Sequence, residues 1–426
     1  MQPSKEYDMF SCFSSESTRT NKRNKELCFA VADNNVDKVR STLALGALVD
    51  IVVTPESRYP HQFRGWGDIP LVHFAAMMAS QSTDILEQII NAGASLHKIY
   101  ETTLYKTSGS ILHNALNSHN YAPTFELLIS AGADVNAVNN AEISVIQALL
   151  DTNPYYTYAE DLDQLSVLKV LIEKNVTLND GDVKRVVSLI TDTEMVTTKG
   201  LDILRLCIEK QIDIDPSPDA TILHLLASKK IADDNDTPAV LTNLVEAAVA
   251  AGFPLDKQDA DGRTALHIAL LNKSVLFNYL VKFVENINIA DNDRVTPLHL
   301  AAKNGIEYAN PLLEKQADVH ALDINSRTVM HYAGDQFVFN ALVAKGAKID
   351  EADNNGITPL MCAAQAGKNS LVLKLLGAGA NIKAMDKDGK SIVFYASPKL
   401  HTLTLIQAEI GFRNLTLNNK HTMTMT

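Results

Sequence analysis

The residues of this 426-residue sequence best suited to chemistry are histidines that recur in one setting: His73, His113, His224, His267, His299 and His331. The stretch DNDRVTPLHLAAKNG at 291–305 shows that setting, with a threonine three residues before the histidine and aspartates upstream. Imidazoles in such a row suggest a metal array or a supply of general bases. Spacing argues against the metal. Equivalent side chains on successive helical units lie roughly 10 Å apart, whereas zinc needs its ligands within about 2.1 Å of one ion. No H-E-x-x-H or Cys/His cluster offers a better arrangement. A structural role uses the same residues fully. Threonine caps a first helix, proline is tolerated in its first turn, and leucine enters the core. The imidazole then hydrogen-bonds between neighbouring turns or repeats through both ring nitrogens. His299 and its relatives are therefore expected to belong to the scaffold, with no catalytic residue, no metal and no cofactor.

Other reactive groups point the same way. Cys12, Cys28, Cys207 and Cys362 form no C-x-x-C pair, and the last three lie within apolar helical patterns. Those three read as small buried hydrophobes, Cys12 as an exposed thiol without a basic partner, and the chain as one built for a reducing compartment. KDGKS at 387–391 lacks the upstream glycine of a phosphate loop. Gly262, Gly356 and Gly389 sit in DG and NG steps, where a turn requires positive φ.

The elements that position these residues emerge when the C-terminal half is stacked on itself. Thr264, Thr296, Thr328, Thr358 and Ser391 align, spaced by 32, 32, 30 and 33 residues. Each opens a short apolar helix, followed by a second amphipathic one, as in NSLVLKLLGAGANIKAMD at 369–386. One such unit cannot bury its apolar stripe alone, so the period implies stacked neighbours.

TPLHLAA at 296–302 and TPLMCAA at 358–364 open the units, while AGADVNAV at 131–138, QADVHALD at 316–323 and GAGANIKAMD at 377–386 close them. In these motifs the chain resembles the ankyrin-repeat proteins. The resemblance implies an all-α solenoid whose units each project a β-hairpin or loop from two antiparallel helices. It also implies a protein-binding scaffold. Ankyrin arrays are similar, too, to effectors that bacteria deliver into eukaryotic cells.

The pattern extends upstream less regularly. Residues 68–97 and 109–138 are recognisable units, and 221–256 opens with TILHLLA before a longer insertion. Residues 25–52 resemble a first unit without the TPLH element, as an N-terminal cap would. Between about 141 and 215 the signature fades while helical periodicity persists, as two degenerate helix pairs or as an inserted helical subdomain. The expected organisation is a flexible tail at 1–24, capping and ankyrin repeats with an insertion at 25–140, and degenerate helical repeats at 141–220. C-terminal repeats follow at 221–415, with a polar tail at 416–426.

The resemblance places partner contacts on the hairpins and on the exposed side of each first helix, a concave surface. On the clear repeats that surface comprises Arg263, Asn272, Asn292, Val295, Lys303, Asn304, Asn325, Arg327, Asp335, Gln336, Asn354, Ile357 and Gln365. Arg263, Lys303 and Arg327 would form a basic strip for an acidic partner segment. Arg294 and Ser326 stand where a turn glycine is usual, which either reshapes the hairpin or is tolerated by it. A second candidate is the insertion SRYPHQFRGWGDIP at 57–70, with Trp66, Phe63 and Arg64 as interface anchors or as a cover for a repeat edge. The aromatic run NPYYTYAED at 153–161 offers the same two choices.

Composition bounds the remainder. With 46% hydrophobic and 21% charged residues the chain is that of a folded protein. The net charge of −12 argues against nucleic acid, and the basic run from Arg19 to Lys25 reads as a solvated tail. No segment approaches the ~18 apolar residues of a membrane span. The leading expectation is a monomeric, non-enzymatic interaction scaffold in the cytoplasm, or in a host cytosol after delivery. The alternative is an effector with regulatory or catalytic activity hidden in the irregular middle.

Overall fold

The computed structural model describes residues 18–53, 69–79, 82–97, 100–101, 108–116, 121–151, 164–193, 195–215, 217, 220–232 and 234–423. The fold is all-α: among these residues the strands are four two-residue pieces, and helices do the packing. Two compact units divide the chain. Residues up to 189 together with 202–212 form the first, and 190–201 together with 213 onwards form the second.

The first unit is built from helix pairs: α1 (Thr18–Ala32) with α2 (Val36–Ala44), α3 (Leu71–Met78) with α4 (Asp84–Asn91), and α5 (Ile111–Ala115) with α6 (Tyr121–Ser130). The short strands β1 (Val52–Val53) and β2 (Ile69–Pro70) pair antiparallel before α3, as do β3 (Tyr100–Glu101) and β4 (Ser108–Gly109) before α5. The pair α7 (Val145–Leu150) and α8 (Gln164–Glu173) continues the rhythm, with α7 against α5 and α8 against α6. Next come α9 (Asp180–Thr191) and α10 (Thr198–Glu209), through which the division between the units passes. Leu112, Phe125, Leu149 and Leu168 carry this core.

The second unit repeats the pairing more regularly. It contains α11 (Ile222–Ser228) and α12 (Thr237–Ala250), α13 (Ala265–Leu271) and α14 (Phe277–Phe283), and α15 (Pro297–Asn304) and α16 (Ile306–Glu314). These are followed by α17 (Val329–Tyr332) and α18 (Gln336–Ala344), α19 (Pro359–Ala366) and α20 (Asn369–Gly377), and α21 (Ile392–Ala396) and α22 (Leu400–Met423). First helices stack on first helices from α11 to α21. Leu266, Leu298, Met330 and Leu360, each the second residue of α13, α15, α17 and α19, are buried together with Leu280, Leu312, Leu342 and Leu375 of the second helices. Burying each such side chain stabilises by about 1.5–3 kcal/mol, which only a neighbouring pair can supply.

Both expected tails are shorter than the sequence suggests. Helix α1 already includes the basic run, because Asn24 is buried and its Oδ1 accepts from the Leu48 N–H at 2.9 Å. At the other end α22 runs on to Met423, with no proline to stop it.

Candidate interaction surface

Five hairpin tips in the second unit are each folded around one aspartate. Asp291 Oδ1 accepts from the N–H groups of Asp293 (3.0 Å) and Val295 (2.8 Å). Asp259, Asp323, Asp353 and Asp386 do the same in their own hairpins. The tips are then strung together by backbone: Asn292 N–H donates to Asp261 O, Ile324 to Asp293, Asn354 to Asn325, and Lys387 to Asn355, at 2.8–3.0 Å. The tip residue has positive φ throughout. Gly262 also needs its missing side chain, since a Cβ there would lie 2.5 Å from Asn292 Oδ1. Arg294 (φ 59°) and Ser326 (φ 61°) keep the same turn without glycine.

Five of the six recurrent histidines fasten their first helix to the next hairpin, while His73 bonds the Asn114 amide through Nδ1. His299 Nδ1 accepts from the Thr296 N–H at 3.1 Å and lies 2.9 Å from its hydroxyl. On the other side of the ring, Nε2 donates to Arg327 O at 3.3 Å. His224 reaches Arg263 O in this way, His267 reaches Val295 O, and His331 reaches Ile357 O. In the first unit His113 bonds Ser110 and Ile143 O. Burial pushes the pKa of His113, His224, His267, His299 and His331 below the ordinary imidazole value. These rings are neutral two-handed ties, with both nitrogens committed. Among the described residues no group of three His, Cys, Asp or Glu side chains is placed to hold a metal.

The second oxygen of several hairpin aspartates does a further job. Tyr332 and Tyr395 donate their hydroxyls to Asp323 Oδ2 and Asp386 Oδ2, nine residues earlier in each case. Burial and the adjacent carboxylate raise both phenols, Tyr395 to about 12. Arg327 Nε donates to Asp353 Oδ2 at 3.1 Å, and that carboxylate is fully buried. These tyrosines escaped the motif reading. The D-x8-Y spacing was the signal available for them.

Most of the expected contact residues prove to be fasteners of the array. Arg263 pairs with Asp261 at 2.9 Å, and Arg327 with Asp353. Asn292, Asn304 and Asn354 donate their amides to Ala260 O, Leu270 O and Ile324 O of the preceding repeat. Val295 and Ile357 offer the carbonyls that the histidines use, and Asn325 the one that Asn354 uses. Asn272 bonds its own helix, and Asp335 caps α18 through the N–H groups of Phe337 and Val338. Gln336 is half-buried in the first turn of α18. Lys303 and Gln365 stand exposed on α15 and α19, and Lys303 has no ion pair among the described residues. The basic strip as expected is thus broken, with two of its three cations already neutralised. Trp66, Phe63 and Arg64, and the whole run at 153–161, lie outside the described residues.

Three thiols are placed. Burial raises Cys28 and Cys207 to about 12 and Cys362 to about 11, so all three are protonated near neutral pH. In the first unit a cavity of about 300 Å³ is lined by Gln147, Asp151, Asn179, Asp182 and Arg185. Its Asn179 and Asp182 already cap α9 reciprocally, at 2.9 and 3.2 Å.

The hairpins from Asp259 to Lys390 lie in the part of the chain that a known family model spans. A family model described as ankyrin repeats (3 copies) matches residues 231–323 and 328–407. This is an ankyrin-repeat-containing chain. It is similar to the human transient receptor potential cation channel subfamily A member 1, 27% identical over 41% of this chain and 17% of that protein. It is also similar to the mouse B-cell lymphoma 3 protein homolog, 28% identical over 35% of this chain and 36% of the relative. Human neurogenic locus notch homolog protein 1 is 26% identical over 59% of the chain and 9% of its own length. The ankyrin chain therefore aligns with only a minor part of each relative. No described helix is long and apolar enough to cross a membrane.

Proposed function

We propose that this ankyrin chain is a non-catalytic scaffold that binds a partner protein across the hairpins and first helices of residues 259–396. The observation that carries this reading is how the polar groups are spent. Histidines, hairpin aspartates and asparagines hold successive repeats in register, leaving a rigid row from which side chains such as Lys303 and Gln365 project. A surface ordered before binding loses little conformational freedom on association, which favours recognition. Neutral tied imidazoles and protonated thiols support a role without chemistry, and the unpaired thiols Cys28, Cys207 and Cys362 suit a reducing cytosol.

The test is capture from a cell lysate on the immobilised full chain, beside a variant carrying K303E and Q365E. Both positions are exposed, so the variant keeps its thermal transition. Proteins held by the parent and lost by the variant support the surface. An identical set on both removes it.

A further inference from the structure

The repeat that opens at Thr328 is shorter than its neighbours, and the shortening falls on its first helix. Helix α17 has 4 residues, against 8 in α15 and 8 in α19. The chain that leaves α17 is drawn back onto α15: Gly334 N–H donates to Ala302 O at 2.7 Å. The approach is close enough that a Cβ on Gly334 would meet Lys303 O at 2.8 Å. Between the last turns of α15 and α19, therefore, no helical turn of α17 intervenes. Lys368 reaches into that notch from beyond the end of α19, and its Nζ donates to Ala333 O at 2.9 Å. Lys303 stands exposed on the α15 side, its backbone carbonyl lying against Gly334.

Two cations here lack what the neighbouring ones have. Arg263 and Arg327 are each matched by a carboxylate, whereas Lys303 and Lys368 form no ion pair among the described residues. Asp335 lies nearby, but its Oδ1 is held by the N–H groups of Phe337 and Val338 as the cap of α18. The Lys368 ammonium spends one of its three donors on Ala333 O. Phe337, two residues beyond Asp335 in the first turn of α18, is 58% exposed. The surrounding chain carries a net charge of −12, so this local pair stands out in sign.

We propose that the notch formed by the shortened α17 is a docking point for an acidic segment of the bound protein, with a glutamate or aspartate side chain between Lys303 and Lys368. Charge-assisted hydrogen bonds from two ammoniums to one carboxylate supply the attraction. This deepens the scaffold reading and rests on it.

The probe is a fluorescein-labelled hexaglutamate peptide, titrated with the full chain at low ionic strength and followed by anisotropy. Replacing Lys303 and Lys368 by methionine together should weaken binding about tenfold. K303M alone leaves the Lys368 bond to Ala333 intact, and should account for a measurable share of the loss in a normally folded protein. The control K345M/K374M removes two exposed lysines from the second-helix layer and should leave binding nearly unchanged. The proposal is overturned if the parent fails to bind, if the control loses as much as the test pair, or if only a phosphoserine version of the peptide binds. Hexaglutamate is read without any cellular partner. Its failure removes the notch alone, whereas an empty lysate capture removes the scaffold reading alone.

Discussion

The hairpin at residues 139–143 in the first unit and the hairpin at 291–295 in the second are built to one plan from different residues. Asn139 Oδ1 accepts from Ala141 and Ile143 N–H at 2.9 and 3.0 Å, where Asp291 Oδ1 accepts from Asp293 and Val295. Glu142 takes the positive φ (60°) that Arg294 takes (59°). One step later Ser144 and Gln147 close a reciprocal cap on α7, where Thr296 and His299 close one on α15. The motif thus specifies hydrogen-bond positions, and several side chains satisfy them. Reach is the difference. The Gln147 amide ends at the Ser144 N–H, whereas His299 carries on to Arg327 O in the next repeat. Asn139 likewise lacks the second carboxylate oxygen that Asp353 extends to Arg327.

That contrast predicts unequal damage from equivalent changes. Asp353→Ala strips the clamp on Asn355 and Ile357 and leaves Arg327 without its buried partner, a loss expected to cost about 3 kcal/mol. Asn139→Ala removes a neutral clamp and should cost about 1 kcal/mol. Urea denaturation of the two variants, each against the parent, checks the ordering. Equal losses would mean that the second oxygen contributes nothing.

The histidine and its glutamine counterpart sharpen the same point. His299→Ala deprives the Thr296 N–H and Arg327 O of partners at once, for about 1–3 kcal/mol. Gln147→Ala removes half of a helix cap, worth about 1 kcal/mol. Differential scanning calorimetry should therefore show the larger fall in Tm for the histidine variant. Neither variant should alter metal content, and stoichiometric zinc lost with His299 would return the row to metal chemistry.

Why some of this was legible and some was not follows from the distance over which each contact is made. A Thr–His cap joins residues three apart, so the sequence displays it whole. The partner of Arg327 lies 26 residues on, in another repeat, and its pairing depends on a register that no short motif records. Arg327 consequently looked like a free cation, whereas the partner of Arg263, Asp261, stands only two residues away in the same hairpin. The shortened repeat was visible as the step from Thr328 to Thr358, but its effect on α17, Gly334 and Lys368 needed coordinates. Helix α1 was missed at its start because RTNKRNK carries no apolar period, and Asn24 is buried for one hydrogen bond rather than for packing.

Acid should separate the two units. A buried neutral imidazole whose pKa falls on folding binds its proton more readily in the unfolded chain, so stability is complete above the ordinary value of 6.5 and declines as pH drops below it. His224, His267, His299 and His331 all lie in the second unit, while His113 lies in the first. Hydrogen exchange between about pH 7 and pH 5, corrected for intrinsic rate, should show greater loss of protection in α11–α19 than in α5–α8. The H299Q/H331Q variant should flatten that dependence. An equal loss in both units would show that carboxylates, not the imidazole ties, govern the acid response.

The smallest effect belongs to the hairpin tips. Arg294 holds φ at 59°, close to the left-handed minimum that a side chain tolerates, while Gly262 and Gly356 sit further out at 76° and 82°. Placing a non-glycine residue in that region costs roughly 1 kcal/mol, and glycine costs a comparable amount by loosening the unfolded chain. Arg294→Gly should therefore change stability by less than about 0.5 kcal/mol, because those two terms oppose each other. Gly262→Ala has no such compensation, since its Cβ would sit 2.8 Å from the Asn292 backbone nitrogen and push the next hairpin off its bond to Asp261. Urea midpoints for both variants decide the matter. A clear destabilisation by Arg294→Gly would mean that the arginine side chain contributes a contact of its own, and that its place at the tip is more than a tolerated departure.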